Sequence, residues 1–387
     1  MTNNSRMIQE VFAQANVTLN GNNPWDIIVN DNHFYSRLLN NTKLSIGETY
    51  VEGLWDCAKI DSFIYRVLTA DLASKALAHP KFWRSALKQR FYDYIHNLFN
   101  HQTETKSFIV GKQHYDIGND IYQAMLDKRM VYSCGYWEGA KTLDEAQELK
   151  LKLICEKLDL KPGMTVLDIG CGWGSFAKYA AENYKVSVLG ITISKQQYEY
   201  AKNACANLPI EIRFQDYREL LQKKEQFNRI VSIGMFEHVG FKNYPIYMNT
   251  VSHCMKEDGL FLLHTIGANS SKYVSNSWLN KYIFPNSHLP TITQLASSFE
   301  SIFIMEDWQN IGFNYDKTLM AWHHNFNNQW DNLKHRYNEQ FRRMWNFYLL
   351  SCAGAFRARH NQVWQILLSK KGLPSGYSPV LIVKNTN

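Results

Sequence analysis

A chain of 387 residues exceeds the usual single-domain size, and a hydrophobic content of 45% is ample for packed cores, so two folded units are expected. The formal charge, 42 − 35 = +7, is a moderate basic excess that points away from nucleic acid and suits other polyanions, including the anionic inner leaflet of a membrane. Seven scattered cysteines, with no CxxC pair and no histidine at ligand spacing, predict reduced thiols, a cytoplasmic setting and no metal site.

In chain order, the opening MTNNSRMIQE has no apolar h-region, which predicts no secretory signal. No run approaches the ~20 apolar residues of a spanning helix. Residues 1–100 read as short helices separated by turns such as NGNNPWD, a small and mainly helical N-terminal domain. Within 82–99 an apolar stripe (Trp83, Leu87, Phe91, Tyr94, Leu98) runs beside Lys81, Arg84, Lys88 and Arg90. Spacings of four, four, three and four place that stripe on one helical face. A helix docked on its own domain and a contact with an anionic membrane surface fit this pattern equally. A polar linker follows at 101–112, and residues 113–387 form the second expected domain.

From residue 165 strands alternate with helices. TVLDIG, VSVLGITI, IEIRFQD, RIVSIGMF and LFLLHTIG read as strands, with SFAKYAAENY and SKQQYEYAKNACANL as helices between them. Such alternation predicts an α/β fold with a mostly parallel, doubly wound sheet, whose ligands sit at the carboxyl ends of the strands. That rule sets Asp168–Gly174, Thr192, Asp216, Glu237 and His264 along one edge.

VLDIGCGWG (Val166 to Gly174) is a strand, a glycine turn and a helix start. A dinucleotide site would place glycine at 175, where the chain has Ser175, and glycine recurs instead at 170, 172 and 174. Asp168 is placed to meet the cationic amino end of S-adenosylmethionine and would repel a pyrophosphate. The second strand ends in GITISKQQ, so Thr192, Ser194, Gln196 and Gln197 stand where an acid usually holds the ribose. GMFEHVG closes the fourth strand with Glu237 and His238, the latter expected behind the first rank of contacts.

Taken with LSIGETYVEGLWDC, GKQHYDIGNDIY, YSCGYW, LLHTIG, KYIFPN, YDKTLMAW and CAGAFRAR, these segments resemble the cyclopropane-fatty-acyl-phospholipid synthases. More distantly, the chain is similar to the mycolic acid cyclopropane synthases. The resemblance implies a class I S-adenosylmethionine-dependent methyltransferase fold, Rossmann-like, behind an N-terminal lipid-binding or accessory domain. It implies methylation of a cis double bond in a phospholipid acyl chain, followed by closure of a three-membered ring. A homodimer working at the inner face of the membrane is implied as well. Donor contacts are then expected from Tyr132, Ser133, Val166, Leu167, Asp168, Ile169, Gly170, Cys171, Gly172, Trp173, Gly174, Thr192, Ile193, Ser194, Lys195, Gln196, Gln197, Asp216 and Tyr217. A bicarbonate ion is implied at Cys134, Glu237, His264, the Ile266 backbone and Tyr315. Cys352 matches a cysteine offered as catalytic. Nothing nearby in sequence would lower its pKa, so a small buried residue is the competing reading.

The implied chemistry is consistent with these residue types. Methyl transfer to an isolated alkene leaves a carbocation, so water must be excluded and aromatic faces are useful. Tyr132, Tyr136, Trp137, Tyr282, Phe284 and Tyr315 are candidates for that lining. Ring closure needs only a positioned weak base, and Glu237 is expected to orient it and relay the proton outward. A methyltransferase with another acceptor, or a lipid-binding protein that keeps the fold without activity, are the alternatives.

Overall fold

The computed structural model describes residues 3–40, 42–77, 118–270 and 276–380. The basic and aromatic stripe of 82–99, the linker at 101–112 and the start of GKQHYDIGNDIY lie outside them. Two compact units emerge. Residues 3–77, 276–285 and 319–361 form a helical unit, and 118–270, 286–318 and 362–380 form a sheet unit. Among the described residues no helix is long and apolar enough to cross a membrane.

The helical unit gathers helices Asn3–Ala13, His33–Asn40, Thr42–Val51, Ile60–Thr69 and Leu72–Leu77 with a short antiparallel ribbon of Ile28–Val29 and Trp55–Asp56. Its core is aromatic. The buried Trp55 meets Tyr50, Phe63, Phe34 and Phe347 at ring separations of 5.1, 5.6, 6.3 and 6.5 Å. Phe347 belongs to helix Glu339–Arg357, which carries a wide buried face that includes Trp345, Tyr348, Leu349 and Phe356. Arg343 anchors the helix through Nη2 to Asp56 Oδ1 at 2.7 Å and Nε to the Tyr50 carbonyl at 2.7 Å. Arg357 pairs with Asp61 at 2.5 Å. The linear division at residue 113 therefore differs from the compact units. A helix with so wide an apolar face must be covered, and its partners here are Trp55, Asp61 and the helices around them.

In the sheet unit seven strands are numbered in chain order: β1 Thr165–Ile169, β2 Ser187–Thr192, β3 Ile210–Phe214, β4 Phe227–Ile233, β5 Met255–Ala268, β6 Ile304–Asn310 and β7 Asn361–Ser369. Their spatial order is β3-β2-β1-β4-β5-β7-β6. The pairs from β3 through β5 are parallel, and β6 and β7 pair antiparallel. The first five strands are those read from the sequence, and β6 and β7 extend the sheet beyond them. Alternation of side chains divides the core in two. Leu167, Ile169, Ile230, Phe261 and Leu263 join one cluster, with Tyr247, Met248 and Val251 of helix Tyr244–Cys254. Val166, Val231, Leu260 and Leu262 face the other way, onto Leu151 and Ile154 of helix Leu143–Lys157 and Phe176 of helix Ser175–Tyr184.

A close helix contact in the helical unit gives a stability test. A Cβ on Gly354 would lie 2.4 Å from the Asp61 carbonyl oxygen and 2.9 Å from Ile64 Cβ. On propensity alone Gly354→Ala would favour its helix by about 1 kcal/mol. Overpacking should win, so the variant is expected to lose about 1–3 kcal/mol of stability in urea unfolding. A variant as stable as the parent would show that the two helices separate freely.

Candidate active site

The glycine turn after β1 forms the floor of the site. Gly170 and Cys171 both donate their N–H to the Ile191 carbonyl at 3.0 Å, which ties the turn to the neighbouring β2. Gly170 holds φ +81°, and a Cβ there would sit 2.6 Å from Met235 Cγ, so only glycine fits both demands. Above the turn lies a cavity of about 150 Å³. That is roughly ten times what one ordered water needs, so it has the size of a ligand site.

Most of the residues expected to hold the donor line this cavity: Tyr132, Ser133, Asp168 to Trp173, Thr192, Ile193, Ser194, Gln197, Asp216 and Tyr217. Val166, Leu167, Gly174, Lys195 and Gln196 do not. Val166 and Leu167 are spent on the two cores, and Gly174 caps helix Ser175–Tyr184 in a left-handed conformation. Ser194 caps helix Lys195–Ala204 by accepting from the Gln197 N–H. Thr192 Oγ1 donates to Gln197 Oε1 at 3.0 Å, so this neutral pair closes β2 where an acid was missing from the sequence. At the end of β3, Asp216 accepts from Arg218, through the backbone at 2.9 Å and from Nη1 at 3.0 Å.

Asp168 is 1% exposed and its Oδ2 has no hydrogen-bond partner. Burial pushes its carboxyl up to about 7, against the pull of the Lys150 ammonium. Lys150 is itself 0% exposed, and burial draws it down to about 8 against the attraction of Asp127, Cys134 and Asp168. His238 also lines the cavity, and burial lowers it to about 4, so it is a neutral imidazole.

A second cluster forms where β4 meets β5. Ile233 pairs with His264, and the Gly234 N–H donates to the His264 carbonyl at 2.9 Å. The short turn Phe236–His238 then brings Glu237 back over β5, where its Oε1 accepts from the Ile266 N–H at 2.6 Å. The Ile266 amide expected to meet an anion thus binds the glutamate, because strand register sets the two opposite each other. Glu237 is 5% exposed, its Oε2 has no partner, and burial pushes it up to about 7. Burial holds His264 well below its usual value. Gln365 Nε2 lies 3.3 Å from its Nδ1. With that amide donating, the ring proton resides on Nε2.

The segment that follows β6 carries Tyr315 and is bonded to Cys134 and the residues just after it. The Gly135 N–H donates to Thr318 Oγ1 at 3.1 Å, and the Trp137 N–H to Asn314 Oδ1 at 2.9 Å. Cys134 Sγ donates to the Gly135 carbonyl at 3.3 Å and stands 3.9 Å from the Ile311 carbonyl. Burial pushes its thiol far up, so it remains a thiol. Tyr315 is buried at the start of helix Tyr315–Asn328. β7 links the two groups, since Ile311 donates to the Val363 carbonyl and Gln365 reaches His264.

Cys352, Tyr282 and Phe284 belong to the helical unit. Burial pushes the Cys352 thiol up to about 12, the opposite of what a nucleophile requires. Tyr282 donates its hydroxyl to Glu48 at 2.7 Å, and the Phe284 ring lies 5.5 Å from that of Tyr348. Tyr132 packs edge-on to Tyr122 at 5.1 Å, and Tyr122 meets Trp173 at 4.8 Å, which gives the cavity an aromatic wall. Among the described residues no group of three His, Cys, Asp or Glu could hold a metal. Sequence reasoning missed Lys150, Gln215, Arg218 and Met235 in the lining, and Gln365 behind His264. A signal existed for Lys150. It falls with Leu143, Gln147 and Ile154 on a buried helical stripe where a lysine has no structural reason to be.

Residues 102–366 match the family described as mycolic acid cyclopropane synthetase. Over 371 residues the chain is 48% identical to the cyclopropane-fatty-acyl-phospholipid synthase of Escherichia coli K12, covering 96% of this chain and 94% of that protein. Among solved structures it is similar to the cyclopropane synthase MmaA2 of Mycobacterium tuberculosis, with a TM-score of 0.63 and 30% identity over 68% of this chain and 98% of the other. The mycolic acid cyclopropane synthase CmaA1, in a structure with S-adenosylhomocysteine, aligns with a TM-score of 0.62 and 32% identity over 68% and 98% of the two chains. The parallel sheet, the glycine turn with its cavity and these similarities lead to one conclusion: the chain belongs to the mycolic acid cyclopropane synthetase family and is a class I S-adenosylmethionine-dependent methyltransferase.

Proposed function

We propose that this enzyme methylates the cis double bond of an unsaturated acyl chain within a membrane phospholipid and closes the product to a cyclopropane. The observation that carries this reading is the buried pairing of Glu237 with the Ile266 amide beside a neutral His264, at the strand ends next to the donor cavity. The 48% identity to a protein named for that reaction, across almost the full length of both chains, supports it.

The alkene carbon attacks the donor methyl in line with the breaking carbon–sulfur bond, so the chain's main contribution is alignment. Asp168 and the glycine turn fix the donor. Tyr132, Trp173 and Tyr315 exclude water, which would otherwise trap the cation as an alcohol. Tyr136 and Trp137 adjoin Cys134 and extend that lining.

The residues fit a bicarbonate ion. Tyr315 and the His264 Nε2–H would donate to the anion, and Glu237 Oε2, which has no partner, would accept the hydrogen that bicarbonate carries. Bound there, bicarbonate supplies the weak base for the proton lost at ring closure. Cys134 stays a buried, protonated thiol. His238, neutral beside the cavity, supports the Glu237 turn.

We place residues 1–100 as an accessory, lipid-binding domain, with the stripe at 82–99 lying on the anionic inner face of the membrane. A homodimer is part of the same proposal.

Incubating the enzyme with labelled S-adenosylmethionine and cis-unsaturated phospholipid vesicles should add one CH2 to the acyl chains with loss of the alkene proton signals. Unmodified vesicles, with a soluble acceptor methylated instead, would remove the synthase reading.

Glu237→Gln should lower turnover by about 10²-fold or more with donor affinity near normal. In the parent enzyme turnover should fall as pH drops through about 7. Burial disfavours the ionised carboxylate, and protonation removes the acceptor. A nearby anion moves this limb upward. A Gln variant with parental turnover contradicts the assigned role.

If the 82–99 stripe rests on anionic lipid, vesicle binding should weaken with added salt, because screening acts within ~10 Å at 0.1 M. Salt-insensitive binding would return that stripe to ordinary packing.

A further inference from the structure

Lys150 has no part in the chemistry above, yet it is among the most deeply buried charges of the sheet unit. It projects from helix Leu143–Lys157 into the donor cavity, and its Nζ donates to Ser133 Oγ at 2.9 Å. One turn earlier on the same helix, Gln147 Nε2 donates to the Ser133 carbonyl at 2.8 Å. The helix therefore grips Ser133 at both its hydroxyl and its carbonyl. Asp168, lining the same cavity, has a buried Oδ2 with no partner.

The other cation of the lining, Arg218, is bound to Asp216 at the end of β3. β3 and β1 are separated by β2, so their ends lie about 10 Å apart, two strand spacings. The cavity thus has two distinct polar ends. One offers Asp216 and Arg218. The other offers an ammonium seated on a serine and a carboxylate oxygen with nothing bound to it. A zwitterionic α-amino acid tail is complementary to that second end, with its ammonium on Asp168 and its carboxylate on Ser133 and Lys150.

We propose that Lys150 is a specificity-determining residue for the methyl donor, receiving the α-carboxylate of its amino acid tail together with Ser133. The inference rests on the donor and is independent of the lipid acceptor. It explains why a chain that must bind a sulfonium cation keeps a second cation in the same cavity. Without a carboxylate to meet, that ammonium would only repel the ligand.

The test compares binding of S-adenosylmethionine and decarboxylated S-adenosylmethionine by calorimetry, with no lipid present. The two ligands share the sulfonium and an ammonium and differ in the carboxylate. The parent protein should prefer the carboxylated donor by about 10- to 100-fold, the worth of one charge-assisted hydrogen bond. Lys150→Met, which keeps most of the unbranched stem and removes the ammonium, should shrink that preference to about 3-fold or less. If the variant weakens both ligands equally and leaves their ratio intact, the ammonium is only a counter-ion and the proposal fails.

A measurement on the parent protein covers the case in which the variant does not fold. With each ligand's own ammonium titration measured in solution and divided out, the preference should decline as pH rises through about 8, where Lys150 loses its proton. The groups that act on its charge are Asp127, Cys134, Asp168 and His264. Ionisation of Asp168 affects both ligands through their common ammonium and drops out of the ratio. A ratio constant across that pH range would also overturn the proposal.

Discussion

The pairing of Ile233 with His264 is the constraint on which the site rests. It ends β4 opposite the middle of a longer β5, so the chain must turn while β5 continues. Gly234, with φ +67°, makes that turn possible, and the Phe236–His238 turn that follows is pinned by Phe236 stacked on Tyr244 at 4.1 Å. The His288 N–H holds the Glu237 carbonyl at 2.8 Å from outside. A carboxylate, an imidazole and a backbone amide from two strands are thereby fixed against one another by sheet register, which is far stiffer than a loop. A slip of one residue would send His264 to the opposite face.

Desolvation gives the site its second common thread. Asp168 and Glu237 are raised toward neutrality, while Lys150, His238 and His264 are lowered toward it, and in every case burial is the leading cause. A region that disfavours all charge is hostile to bulk water and favours short, directed hydrogen bonds. Such an interior suits transfer of a methyl group from a sulfonium donor with water kept away. It provides fixed dipoles and single compensating groups where solvent would provide a nucleophile.

Much of this was legible in the residue order, and the exceptions have physical reasons. β1 to β5 were readable because apolar runs ended at glycine or polar turns, and Asp168, Thr192 and Glu237 followed from the strand ends. β6 was hidden because it is only half buried and carries Glu306, Asp307 and Gln309. β7 is buried along nearly its whole length, but its apolar residues are only Val363, Trp364 and Ile366–Leu368 with Gln365 between them, a short run that periodicity cannot separate from a buried helix. Lys150 was passed over because a lysine on a helix is ordinarily solvated. Its burial depends on which helix face meets the sheet. Which unit covers the helix Glu339–Arg357 is a tertiary matter that the residue order does not carry.

The position of β7 bears on how the polypeptide matures. This strand is the last of its sheet to leave the ribosome, yet it lies between β5 and β6, and its Gln365 supports the ring of His264. Until residues 361–369 emerge, β5 presents an open border and β6 has no neighbour to pair with. A nascent chain arrested before this point would expose two unsatisfied strand edges and an imidazole without its Gln365 support, a species suited to chaperone capture.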